Sequence, residues 1–111
     1  MPLEVTFSSH RLKVDLEDEK FRRRKYGEES SKKIVQRIRD LEAAESFAVL
    51  EKLPGDWKPL VANRKGFWSA RVSGGLRMIV KPGGVEEATI ESLTDWRKVK
   101  IAIVEKVEDY H

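Results

Sequence analysis

"GFWSARVSGGLRMIVK", residues 66–81, decides how this chain folds. Its first half alternates, with Trp68, Ala70 and Val72 on one side and Phe67, Ser69 and Arg71 on the other, the period of a strand. "SGG" at 73–75 is a hairpin turn signal. The second half puts Leu76, Met78 and Val80 on one face and leaves Arg77 and Ile79 opposite. Two strands and a tight turn make a β-hairpin, and Arg77 interrupts an otherwise apolar strand. A guanidinium there needs a partner, because burying it unpaired is costly. That partner is either an internal acid, Asp109 or a glutamate, or the phosphate of a bound ligand.

Downstream the strand grammar continues. "PGGVEE" (82–87) reads as a second turn, "EATIESL" (87–93) as a further strand, and "KVKIAIVEKVEDYH" (98–111) as the strongest strand of the chain. Ile101 and Ile103 alternate with Ala102 and Val104, so both faces are apolar and the strand is expected inside the sheet. Upstream, "LEVTF" (3–7) reads as an opening strand. "KVDLEDEKFRRRK" (13–25) reads as one helix ended by Gly27, with His10 capping or preceding it. In "EESSKKIVQRIRDLEAA" (28–44), Ile34, Ile38 and Leu41 share a helical face, and the acids precede the bases as a helix dipole prefers. A short helical turn, "SFAVLEKL", runs into Pro54-Gly55. Helices precede an antiparallel meander, so the expected class is α+β: an N-terminal strand and an αα-hairpin packed on an antiparallel sheet.

At 111 residues the chain is expected to be one domain, 1–111. With no cysteine and two histidines, it has no disulfide or thiolate chemistry and little material for a zinc site. No apolar run approaches the ~20 residues that span a bilayer, and no apolar leader opens the sequence, so a cytoplasmic protein is expected. The three tryptophans read as packing residues, Trp57 being the most open case. No Gly-rich loop joins a strand to a helix, which excludes the common nucleotide folds.

The net charge of +3 is unevenly spread. Residues 56–81 carry six basic side chains against Asp56 alone, while 82–111 carry four basic and seven acidic ones. A basic field beside an acidic end suits a polyanion held next to a proton-handling group. Asp109, Tyr110 and His111 supply such a group: a carboxylate, a phenol and an imidazole in succession.

Three stretches carry a resemblance: "YGEESSKKIVQRIRDLEAAESFAVLEKLPG" (26–55), "NRKGFWSARVSGGLRMIV" (63–80) and "DWRKVKIAIVEKVEDYH" (95–111). Together they resemble the HigB branch of the RelE/ParE toxin superfamily over roughly residues 20–111. The resemblance implies a small α+β toxin of a type II toxin–antitoxin pair: a ribosome-dependent, metal-independent endoribonuclease that cuts mRNA without a cofactor. It also implies a HigA-like helix-turn-helix antitoxin as partner, DNA contact only through the antitoxin complex, and no membrane. By position, the strand arginine of the family is Arg77, its closing triplet is Asp109, Tyr110 and His111, and its basic turn is Arg64 and Lys65. Lys58 stands where many members have a histidine, and Val61-Ala62 where they have Lys-Gly. In this assignment Arg77 holds the scissile phosphate, His111 is general base or acid, Tyr110 assists and Asp109 orients the imidazole. Lys58, Arg64 and Lys65 bind flanking phosphates. Two other classes share the pattern: a ParE-like toxin that inhibits DNA gyrase, and a non-catalytic module that keeps the antitoxin surface or an RNA-binding groove.

Overall fold

The structure, a computed structural model, describes residues 2–61, 64–86, 89–90 and 93–109. Strand β1 (Glu4–Phe7) leads into helices α1 (His10–Glu17), α2 (Glu19–Tyr26) and α3 (Glu28–Ala43), then a 3-10 turn over Phe47–Lys52. Strands β2 (Lys58–Pro59), β3 (Trp68–Ser73) and β4 (Leu76–Gly83) follow, then a 3-10 turn over Trp96–Lys98 and strand β5 (Ile101–Asp109). The five strands form one sheet in the order β1-β5-β4-β3-β2. This is the α+β class the sequence implies.

The helix expected over 13–25 is two helices that meet at Asp18. Ser9, whose Oγ accepts from the Leu12 N–H at 3.1 Å, caps α1, so His10 is the first residue of that helix. Asp18 then leaves the helical conformation, and its carboxylate accepts the N–H groups of Lys20 (2.9 Å) and Phe21 (3.3 Å). An aspartate is far better placed at an N-cap than inside a helix, so it breaks the chain here and starts α2. Arg22 folds back to seal the break, donating to the Leu16 carbonyl at 2.7 Å and to Ser31 Oγ at 3.0 Å. Gly27, with φ of +91°, makes the turn into α3.

The helices cover one face of the sheet. Leu16, Ile34, Leu41, Phe47 and Leu50 pack on Trp68, Ala70, Val72, Met78, Val80, Ala102 and Val104. Trp57 is buried, and Trp96 stacks on Phe47 with ring centres 5.7 Å apart and meets Trp68 edge-on at 5.4 Å. All three tryptophans therefore pack, as expected.

The antiparallel pairing expected from the meander holds for β3, β4 and β5, β2 adds to β3 in the same sense, and β1 joins β5 in parallel. Parallel neighbours need a long crossover, and here everything between Phe7 and Ile101 provides it. β5 is internal where expected, with β1 on one side and β4 on the other. Two further elements differ from expectation. The short edge strand β2 was not legible, and Thr89 and Ile90 lie in a 3-10 turn instead of a strand, the rest of that stretch falling partly outside the described residues.

A bulge near the middle of β5 matters for the site. Val80 pairs with Val104, but Ile79 pairs with Lys106, so Glu105 is the extra residue. An inserted residue swaps the faces beyond it. Val107, opposite Met78, therefore turns to the core, and Glu108 comes to stand opposite Arg77.

Candidate phosphate-binding groove

The face of the sheet turned away from the helices carries the candidate site. The Gly74-Gly75 turn sets the β3–β4 register so that Arg71 lies directly opposite Arg77. Lys58 on β2 is opposite Ser69, which puts it beside them on the same face. Lys58, Arg71 and Arg77, with Asp56, Gly74 and Gly75, line an open groove of about 290 Å³. Like charges facing each other across a ladder repel, so something has to stabilise the pair.

Arg77 is held in place by oxygen atoms. Its Nε donates to Ser69 Oγ at 2.9 Å, Nη1 to the Asp56 carboxylate at 3.2 Å and Nη2 to the Asp56 carbonyl at 2.8 Å. Its side chain is only 11% exposed, whereas Arg71 and Lys58 are exposed. Lys58 Nζ lies 3.9 Å from the same Asp56 carboxylate. Three cations and one carboxylate thus share the groove, leaving a net positive field.

The loop that presents Asp56 is bolted down from α3. Arg37, largely buried, donates to the Arg71 carbonyl at 2.9 Å, the Asp40 carboxylate at 3.1 Å and the Pro54 carbonyl at 3.4 Å. The Arg71 N–H in turn donates to the Gly55 carbonyl at 2.7 Å. Gly55 has φ of +118°, and a Cβ there would lie 2.7 Å from the Arg37 guanidinium carbon. Only glycine allows the loop to sit this close.

The other residues expected at the site are divided. Arg64 forms an ion pair with Glu108, which Lys106 also contacts at 3.3 Å. The hydrogen bond from Arg64 holds the Glu108 carboxyl below the usual carboxylate range, against the smaller opposing effect of its partial burial. Arg64 is therefore spent on β5 and does not line the groove around Arg77. Lys65 is exposed. Asp109 is exposed and pairs with Leu76, which places it on the helix-bearing face, away from Arg77. Tyr110 and His111 lie outside the described residues.

Four contributors were missed in the sequence. Arg71 was within reach, since hairpin register across "SGG" pairs it with Arg77. Ser69 shares that face by the same period. Asp56 and Glu108 had no signal, one sitting in an irregular loop and the other turned by a bulge. Chemically, the groove can hold and polarise an anionic phosphate, because arginine keeps its charge and offers a planar fork. Arginine does not relay protons, so cleavage would need a further group.

No family model matches this sequence, and no curated protein matches it either. Solved structures do. The fold is similar to that of a YoeB/ParE toxin from Agrobacterium tumefaciens, at 20% identity and a TM-score of 0.52, with both chains covered in full. It is similar also to YoeB from Staphylococcus aureus, determined as a dimer, at 17% identity and a TM-score of 0.52, covering 100% of this chain and 99% of that one. Helices packed on one face of a five-stranded sheet are what this chain shares with these toxins, and the fold is theirs.

Proposed function

We propose that residues 1–111 form a single HigB-like toxin domain of a type II toxin–antitoxin system, an endoribonuclease that cuts mRNA on translating ribosomes in the cytoplasm. The observation that carries this reading is the facing pair Arg71 and Arg77, with Lys58 beside them, on the sheet face the helices leave open. RNA cleavage by acid–base chemistry needs a base to take the proton from the 2′-OH, cations to stabilise the charged phosphorane, and an acid to protonate the departing 5′-oxygen. In this proposal Arg77 and Arg71 grip the scissile phosphate, and Lys58 and Lys65 bind its neighbours. Arg64 contributes there only if it leaves Glu108. His111 transfers a proton as base or acid, since imidazole titrates near neutral pH. Tyr110 assists, and Asp109 orients the imidazole. No metal or cofactor enters this scheme. A HigA-like helix-turn-helix antitoxin is the expected partner, with DNA reached only through that complex. Among the described residues, no helix is long and apolar enough to cross a membrane.

A ParE-like reading is the alternative, because one structural neighbour is described as a YoeB/ParE toxin and the described groove contains no histidine. Inducing the protein and mapping mRNA ends on translating ribosomes, with DNA gyrase supercoiling followed in parallel, separates the two. New mRNA ends at the ribosomal A site support the nuclease. Gyrase inhibition with intact mRNA supports the alternative.

A further inference from the structure

The phosphate-gripping edge of Arg77 is already engaged from within the chain, three of its five N–H groups having partners there. A guanidinium takes a phosphate in bidentate fashion through a pair of adjacent N–H groups. In Arg77 both terminal nitrogens donate to Asp56, one to its carboxylate and one to its carbonyl, and Nε is committed to Ser69. Asp56 is itself conformationally unusual. Its φ of +53° is the one positive value at a non-glycine position among the described residues. Such strain persists only where the surroundings impose it, and it gathers at functional sites. Here the surroundings are Arg37 and Gly55, which fix the loop immediately before Asp56.

We propose that Asp56 sets the affinity of the groove: its carboxylate occupies the position of an incoming phosphodiester and swings aside when Arg77 grips the RNA backbone. This rests on the reading of the groove as a phosphodiester site. The two partners differ in freedom to move. The Asp56 side chain is 54% exposed and has solvent to swing into, whereas that of Arg77 is 11% exposed and tied at Nε. Lys58, on the solvent side of the pair, gives the displaced carboxylate a second cation to stay near. The exchange replaces one anion by another on the same fork, so Arg77 is never left buried without a counter-charge, which would be costly.

The direct probe is the Nε–H signal of Arg77, followed by heteronuclear NMR in the full chain. Inorganic phosphate is titrated first, then a 2′-O-methyl RNA oligonucleotide that cannot be cleaved. Asp56→Asn keeps the shape and the tolerance of positive φ but removes the charge. Both probes should then bind about tenfold more tightly, the scale of removing a like charge at this range. Asp56→Gly, which also suits the backbone, should repeat the gain. In an Arg77→Ala background, with the oligonucleotide followed by fluorescence anisotropy, the gain from Asp56→Asn should shrink to about twofold, since the two residues act as one unit. Equal affinity in the parent and both Asp56 variants overturns the proposal, as does a gain that survives in full without Arg77. An Arg77 signal that answers neither probe in any variant overturns it as well, and leaves the pair purely structural. Tighter binding by Asp56→Asn together with intact mRNA on ribosomes keeps the competition and refutes the nuclease reading instead.

Discussion

Glu108, not Asp109, stands opposite Arg77 in the β4–β5 ladder. The bulge at Glu105 decides this, because one extra residue exchanges the two faces of everything beyond it. The consequence is a division of labour on the open face. Arg77 turns toward Asp56 and the groove, while Glu108 takes Arg64 and ties its loop to β5.

Arg77→Ala should abolish growth inhibition in a sensitive host. Arg77→Lys should do nearly the same, because an ammonium cannot reproduce the planar fork. Removing the guanidinium leaves Ser69 Oγ and the Asp56 carbonyl without their donor, so urea denaturation should show a loss of about 1–3 kcal/mol. If either variant remains fully toxic, the phosphate assignment is wrong.

Arg71 is exposed, bonds to Gly55 and Arg37 through its backbone, and lines the groove. Arg71→Ala should leave stability within about 0.5 kcal/mol and weaken binding of a 2′-O-methyl RNA oligonucleotide. The dependence of log affinity on log salt should flatten by about one unit, the signature of a lost phosphate contact. An unchanged slope would remove Arg71 from the groove's function.

The Arg64–Glu108 pair should make stability depend on pH. Glu108 has a folded-state pKa lowered chiefly by the hydrogen bond from Arg64. Its contribution is therefore fully present above the ordinary glutamate pKa and is lost as pH falls through the lowered folded value. Both side chains are partly exposed, at 33% and 22%, so solvent screening limits the pair to about 1 kcal/mol or less. Urea denaturation of Glu108→Gln should show that deficit at neutral pH and none in strong acid. A deficit of equal size at both would mean the loss comes from packing.

Gly55→Ala should be far more damaging than its surface position implies. The added methyl group would press on the Arg37 guanidinium at 2.7 Å and strain a φ of +118°. A cost of about 1–3 kcal/mol is expected, with the Asp56 loop pushed off Arg77. Gly74→Ala offers the comparison, since its φ of +52° also strains a side chain but a Cβ there meets nothing within 4 Å. Thermal melts of the two variants side by side would show whether the Arg37 contact governs the difference.

Deleting His111 tests the proposed proton transfer. Folding and antitoxin binding should survive, while mRNA cleavage should fall by about 10²-fold or more, the scale of a lost general acid or base. Primer extension on ribosomal mRNA measures this directly. Cleavage at the parent rate would move the proton-transfer role elsewhere, with Tyr110 the next candidate.

Local alternation was enough to read the hairpin, the apolar faces of β3 and β4, and the inward tendency of β5, because a period of two depends only on neighbouring residues. Arg77 stood out for the same reason, as a charge interrupting an apolar strand. The pairing of Arg71 with it could have been counted across the Gly74-Gly75 turn. Asp18 dividing the first helix was also a local matter, a capping preference stronger than helix continuity. Tertiary structure decided the rest. The parallel pairing of β1 with β5 joins residues nearly a hundred positions apart, and the Glu105 bulge exists only in the register between β4 and β5. Asp56 reaches Arg77 only because Arg37, buried in α3, holds the Pro54-Gly55 loop against β3. Those relationships depend on close approach between distant segments, which periodicity along the chain does not encode.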